Sequence, residues 1–402
     1  MKNMLEDYAK LVAAYFGRIV LHLFYILPIK KNRVMFTSMG AEQYSCNPRY
    51  ITEYMQEKYP DKYEIVWTFK KPEKFTFLRD KNIRICKYRS LSYYFYKMTS
   101  QASVCNYYWG PELPSRKGQL EIQTWHGGGG GTKKASGDDK AIHDNKAHYV
   151  RYMLDSKRYT VMMASSATSL KNTVRGAMKF HGPTIGGTPR NDILLNQNRG
   201  DIKKKVYEAL SVEPHKKILL YAPTWRRNVD EEAVYTLDYK RIECALSERF
   251  GGEWVVLVRL HPLADHSLVE KFNGVIDATA YPDMQELLYS VDVAITDYSS
   301  FVWDYSFTYR PCFLYCTDLA EYKDDRDFYT PIETWGFPVC QNNDELEQAV
   351  LSFDESRYKE GLIKRQRFCG SFEDGHATEK IARVIESACF GAGEIPKEIE
   401  LV

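Results

Sequence analysis

From Pro28 onward, short apolar runs alternate with stretches in which apolar residues recur every three or four positions, the mark of α/β layering. In the first half the runs predict strands at Val34–Met39, Tyr63–Phe69, Ile83–Tyr88, Ser103–Trp109 and Leu120–Trp125. Helical periods fall between them, at about Pro48–Lys58 and Leu91–Thr99. The pattern restarts with strands at Ile218–Tyr221, Trp254–Arg259, Gly274–Ala278, Val293–Thr296 and Cys312–Tyr315, and helices near Tyr239–Arg249, Met284–Ser290 and Phe301–Tyr309. Two Rossmann-like halves follow, at residues 31–185 and 186–402, with the last helices free to cross back to the amino half. The segment Thr184–Arg199, with Gly186, Gly187, Pro189 and several asparagines, reads as the hinge, and Arg190, Asn191 and Asp192 as hinge or cleft residues.

The first 30 residues are a separate case. Leu11–Leu27 barely reaches spanning length and carries Arg18 in its middle. Lys10, Arg18 and His22 fall on one helical stripe, opposite Val12, Phe16, Ile19, Leu23 and Ile26. This predicts an amphipathic helix lying in a membrane interface, its polar stripe toward the headgroups. Lys2, Lys10, Arg18, Lys30, Lys31 and Arg33 against Glu6 and Asp7 suit an anionic inner leaflet. The absence of a small-residue cleavage site before Pro28 argues against a secretory signal.

Composition narrows the class. The 402 residues are 44% hydrophobic and 27% charged, with a net charge of +2, which fits a soluble two-domain protein and argues against a mainly electrostatic nucleic-acid binder. Nine cysteines are scattered through apolar runs with no CxxC, which reads as reduced core thiols in the cytoplasm and no metal site.

In folds of this kind ligands bind beyond the carboxyl ends of parallel strands. At the first such place stands Gln123-Thr124-Trp125-His126, followed by glycines from Gly127 and Gly128 to Gly131 and then Thr132, Lys133 and Lys134. Glycines let the backbone approach a ligand and form an anion nest, and a histidine at the strand tip can take a proton near neutral pH. In the second half, Thr224 and Arg226 end one strand in YAPTWRR, and Arg259 and His261 share a face at the exit of the next. Thr296-Asp297-Tyr298-Ser299-Ser300 runs from a strand into a helix, where hydroxyls and unpaired N–H groups can hold phosphate. Taken singly, each also fits a structural residue: a loop histidine, a surface arginine, a plain helix cap. Asp325-x-Asp327 is formally a metal signature but follows a loop and carries little weight.

Taken in order, WHG, YAPTWR, RLHP, TDYSS before an aromatic helix, and EYxxxRxFY with Arg326 resemble the CDP-glycerol glycerophosphotransferase family of teichoic acid and capsule synthesis, over about residues 33–350. Gly187-Thr188-Pro189-Arg190-Asn191-Asp192 is similar to that family's GxPRND segment. The resemblance implies a GT-B-like α/β fold, two Rossmann-like domains facing a cleft, with the donor nucleotide in the carboxyl half and the acceptor on the amino half. It further implies transfer of glycerol phosphate or ribitol phosphate from a CDP-activated donor to a hydroxyl of a lipid-linked glycan or polyol-phosphate polymer, releasing CMP at the cytoplasmic face of the membrane. His126 is then the expected general base, and His261, beside the donor site, the second expected catalytic residue. Thr224, Arg226, Arg259, Asp297, Ser299, Ser300 and Arg326 are the expected donor-binding residues. Gly127, Gly128, Lys133 and Lys134 form the acceptor-side loop. No tightly bound cofactor and no Mg2+ are indicated. The glycine run departs from the family's usual Thr-Pro-Leu-Lys-Lys after WHG. A nucleotide-sugar glycosyltransferase and an inactive membrane scaffold are the rival readings.

Overall fold

The computed structural model describes residues 2–127, 145–196, 200–225, 235–261, 269, 274–325 and 328–391. They form two compact units, one of residues 2–127, 145–192 and 371–391, the other of the described residues between 193 and 370.

The first unit is built on a seven-stranded parallel sheet: β1 (Lys30–Thr37), β2 (Glu64–Phe69), β3 (Arg84–Lys87), β4 (Ser100–Cys105), β5 (Leu120–Gln123), β6 (Val161–Ala164) and β7 (Thr184–Gly186), in the order β3-β2-β1-β4-β5-β6-β7. Strand alternation splits its core between two faces. Val34, Phe36, Ile65, Trp67, Phe69 and Val104 pack with the helices Cys46–Lys58 and Ala377–Phe390. Met35, Val66 and Cys105 face the other way, toward Tyr93, Trp109 and Tyr152. Near-continuous apolar strands are what a sheet covered on both faces requires.

The second unit repeats the plan with β8 (Lys217–Tyr221), β9 (Trp254–Val258), β10 (Val275–Asp277), β11 (Val293–Thr296), β12 (Cys312–Tyr315) and β13 (Val339–Cys340), ordered β10-β9-β8-β11-β12-β13 and parallel throughout. In each sheet the order reverses once, between β1 and β4 and between β8 and β11. Those are the topological switch points at which such folds bind ligands.

Several elements differ from the sequence-based expectation. β7 and β13, of three and two residues, give too short an apolar run to be seen. β6, an apolar run of four, is as long as β11 and β12 yet is not among the expected strands. Because β7 is the edge strand of the first sheet, Thr184–Gly186 is sheet rather than hinge, and the chain leaves this unit only after Asp192. The expected strand Ser103–Trp109 begins at Ser100 and ends at Cys105. Tyr107, Tyr108 and Trp109 are apolar because they pack from a loop, not because they pair.

The amino-terminal segment is a helix, Lys2–Leu21, continued by a 3-10 turn, His22–Ile26. Leu5–Ile26 is long and apolar enough to cross a membrane by composition, with a mean hydropathy of 1.4. Its polar side is nonetheless tied to the first unit. Asp7 pairs with Arg151 at 3.3 Å and accepts from the Asn145 amide at 2.6 Å. Arg18 donates to the Pro111 carbonyl at 3.0 Å, and burial pulls its pKa down. Arg116 donates to the carbonyls of Phe24, Tyr25 and Leu27. Arg18 therefore does not join Lys10 and His22 in a stripe offered to headgroups. Leu5, Val12, Phe16, Ile19, Leu23 and Ile26 stand outward instead, each at least 65% exposed.

Candidate active site

In the first unit the site grows out of the end of β5. Gln123 is buried and folds its amide over the following turn, accepting from the Trp125 N–H at 2.9 Å and donating to the Tyr107 carbonyl. Trp125 takes a left-handed φ of 55°, which turns His126 out of the strand direction. The His126 ring lies beside Trp125 and Tyr107, at centroid distances of 4.4 and 5.6 Å. Its Nδ1 is 2.6 Å from the Asn106 carbonyl oxygen. A carbonyl only accepts, so Nδ1 carries the proton and Nε2 is left with the lone pair.

Electrostatics agree with that assignment. Burial of the ring lowers the His126 pKa to about 4; the bond to Asn106 opposes this and the charge of Arg190 adds to it. The imidazole is therefore neutral at physiological pH and able to accept a proton.

Two asparagines that the sequence did not single out hold this arrangement. Asn106 follows β4 at the switch point. Its side chain donates to Ser38 Oγ at 3.1 Å and accepts from the Met39 N–H at 2.8 Å, which fixes the carbonyl that His126 uses. Asn47, fully buried, donates to the Trp125 carbonyl at 2.9 Å and accepts from the Arg190 N–H at 3.0 Å. The strand-end rule would have picked out Asn106 had β4 not been drawn through Trp109.

The GTPRND segment is a clamp within this unit. Arg190 donates to the His126 carbonyl at 2.7 Å and to Cys46 Sγ at 3.1 Å. Asn191 reaches Glu373 at 3.4 Å. Asp192 accepts from the N–H groups of Ala377 and Thr378 at 3.1 and 2.8 Å, closing the start of the returning helix. Burial raises the Asp192 pKa and the Thr378 bonds pull it back. All three side chains are fastened, unlike those of a mobile hinge.

In the second unit the switch point brings together the ends of β8 and β11. Buried Asp297 accepts from the Thr224 N–H through both carboxylate oxygens, each at 2.9 Å, and from its neighbour Tyr298 at 2.5 Å. Asp297 thus ties the two strand-end loops to each other. Replacing it by alanine strands those buried N–H groups, and a loss of roughly 2–4 kcal/mol in chemical denaturation is expected. Ser299 and Ser300 lead into the helix Phe301–Tyr305, and Ser300 makes no side-chain cap. Plain capping therefore does not account for its hydroxyl. Arg259 donates to the carbonyls of Ala278 and Tyr281 at 3.2 and 2.6 Å, and burial lowers its pKa. His261 is exposed and lies near-parallel to Trp225, with centroids 6.0 Å apart. Arg226, Arg326, Gly128, Lys133, Lys134 and Asp327 lie outside the described residues.

Two parallel sheets with this strand order, each with polar groups gathered at its switch point, define a GT-B-like protein of two Rossmann units. The chain belongs to the CDP-glycerol:poly(glycerophosphate) glycerophosphotransferase family, whose family model matches residues 19–387. It is 28% identical over 392 residues to a teichoic acid poly(glycerol phosphate) polymerase of Bacillus spizizenii W23, covering 94% of this chain and 98% of that one. It is 29% identical over 375 residues to the polymerase of the same description from Bacillus subtilis 168, covering 90% of this chain but only 50% of that protein. The chain thus spans about half the length of the second relative. A solved structure of the wall teichoic acid polymerase TagF, in a variant soaked with CDPG, superposes with a TM-score of 0.76 at 27% identity, covering 97% of this chain and 98% of that one.

Proposed function

We propose that the protein transfers a polyol phosphate, glycerol phosphate or ribitol phosphate, from its CDP-activated form to a hydroxyl of a lipid-linked or polymeric acceptor in cell-wall polymer synthesis. The observation that carries this reading is His126, a neutral imidazole with Nδ1 fixed on a backbone carbonyl and Nε2 left as a base. In the reaction the acceptor oxygen bonds to the polyol-phosphate phosphorus, the bond from that phosphorus to the CMP oxygen breaks, and Nε2 takes the acceptor's proton. CMP leaves with the electron pair. Thr224, Arg226, Arg259, His261, Ser299, Ser300 and Arg326 are the proposed donor contacts, with Asp297 holding the loops that carry them. Such transfer depends mostly on positioning and charge stabilisation. The test is to supply CDP-glycerol and CDP-ribitol separately with a lipid-linked acceptor and to measure CMP and lipid product. No CMP from either donor overturns the reading.

The proposed site of action is the cytoplasmic face of the membrane, reached through the outward apolar face of the amino-terminal helix. Apolar side chains inserted at the headgroup boundary account for that exposure better than solvent does. Deleting the helix would also strip Arg151 of its partner Asp7 and Pro111 of the Arg18 donor, so the cleaner experiment is Phe16→Glu with Ile19→Glu. The double variant should keep its melting temperature and lose co-sedimentation with anionic vesicles. Unchanged vesicle binding would refute a membrane role for this face.

A further inference from the structure

The carboxyl ends of the strands in the first sheet form a row, and His126 stands on it. Because the sheet is parallel and ordered β3-β2-β1-β4-β5, the residues that follow each strand lie side by side: His126 after β5, Tyr107 after β4, Gly40 after β1, Lys70 after β2 and Arg89 after β3. Backbone bonds join these ends into one surface. The Met39 N–H donates to Asn106 Oδ1, the Lys70 N–H to the Ala41 carbonyl and the Tyr88 N–H to the Phe69 carbonyl, each at 2.8 Å. A Cβ on Gly40 would lie 3.6 Å from the Tyr107 ring, and Tyr107, 42% exposed, flanks the His126 ring.

Folding alone does not explain this row. Met39, Gly40 and Ala41 all take left-handed φ, of 47°, 64° and 68°. For methionine and alanine that conformation costs backbone energy, and such strain gathers at functional sites. The charge is also one-sided. Lys70, Lys71, Lys74, Lys87 and Arg89 end or follow the neighbouring strands β2 and β3, with Glu73 the one acid in the same two stretches, in a chain whose net charge is only +2. Lys70 pairs with Glu42 at 2.6 Å and Arg89 with Glu112 at 3.1 Å. Lys71, Lys74 and Lys87 are exposed and have no ion pair among the described residues.

Four inter-strand steps separate β5 from β3, roughly 19 Å. That is room for more than one repeat of a polyol-phosphate chain, which carries a negative charge on every repeat. A chain whose end hydroxyl meets Nε2 of His126 and whose body follows the row would bring its next phosphates to the lysines beyond β2 and β3. We propose that the row from Tyr107 to Lys87 is a binding track for the body of a polyol-phosphate acceptor, with Lys71, Lys74 and Lys87 matched to its phosphates. An acceptor of several repeats is then held more tightly than one of a single repeat. The inference rests on the transferase reading above and adds that the acceptor is itself a polyanion.

The test follows CMP release without membranes, using CDP-glycerol or CDP-ribitol and a soluble glycoside that bears either one glycerol phosphate or six. Wild type should show the lower KM for the longer acceptor, and added salt should narrow the difference. The triple variant Lys71→Gln, Lys74→Gln, Lys87→Gln breaks no ion pair among the described residues and should keep its melting temperature. Its KM should stay within twofold of wild type for the single-unit acceptor and rise about 5–30-fold for the six-unit one, the joint worth of three screened charge contacts. The donor KM should not move. An unchanged KM for the six-unit acceptor overturns the proposal. So does an equal loss with both acceptors, which would place the lysines at the reacting end or in the fold. Normal kinetics with lost co-sedimentation on anionic vesicles also overturns it and assigns the row to the membrane. Absence of CMP from the wild type with every acceptor, by contrast, defeats the transferase reading itself.

Discussion

Replacing His126 by alanine is expected to lower CMP release by roughly 10²–10⁴, the usual worth of a positioned general base, with donor affinity nearly intact. The ring contributes one structural bond, to the Asn106 carbonyl, and that carbonyl is fixed independently through Ser38 and Met39. The variant should therefore fold. Its melting temperature and CDP-polyol affinity by calorimetry separate this outcome from a merely structural loss, in which activity would track stability. The pH dependence carries the same signature. With its pKa lowered from 6.5 to about 4, His126 stays a base well below neutral pH, so the acid limb of wild-type turnover should lie nearer pH 4 than 6.5. The linkage runs the same way. The unfolded state binds the proton more readily, so the stability due to neutral His126 is fully present above about pH 6.5 and is lost as pH falls toward 4. The melting temperature of His126→Ala should fall less steeply than that of wild type across that window.

Arg158→Met should produce the largest loss of stability, about 3–5 kcal/mol in urea unfolding. The Arg158 side chain is fully buried in the first unit, 2.9 Å from Asp155 and 3.7 Å from Glu121, and donates to the Gly110 carbonyl at 3.2 Å. Its two carboxylates hold its pKa above the ordinary range despite burial. Lys97 is also buried against Glu121, and burial lowers its pKa. Methionine would fill much of the volume but leave two carboxylates to a single buried lysine. Asp155 also accepts from the Gly110 N–H at 2.9 Å and from the Tyr159 hydroxyl at 2.6 Å. The damage should therefore spread into the loop between Asn106 and Pro111, which carries the His126 partner at one end and the Arg18 acceptor at the other. A midpoint unchanged by the substitution would show that the cluster is not holding the fold.

The two-fold α/β pattern, the chemistry-bearing residues at strand ends and the family were legible in the sequence. Apolar runs and strand-end motifs are local, and the strands Val293–Thr296 and Cys312–Tyr315 and the helices Leu91–Thr99 and Met284–Ser290 were placed residue for residue. The sequence also marked His126, because a histidine between a strand and a glycine run is a local signal.

What only the tertiary structure decided are the partners, which lie far apart along the chain. The carbonyl that fixes His126 is 20 residues away, and the arginine that holds its loop is 64 residues away. Asp297 looks like a ligand-binding residue by position, yet it spans 73 residues to lock Thr224. Arg18 lies on a polar stripe by helical periodicity, but which side of an amphipathic helix meets its own protein depends on what that protein offers. Here the Pro111 carbonyl and Arg151 draw the polar side inward and leave the apolar side out.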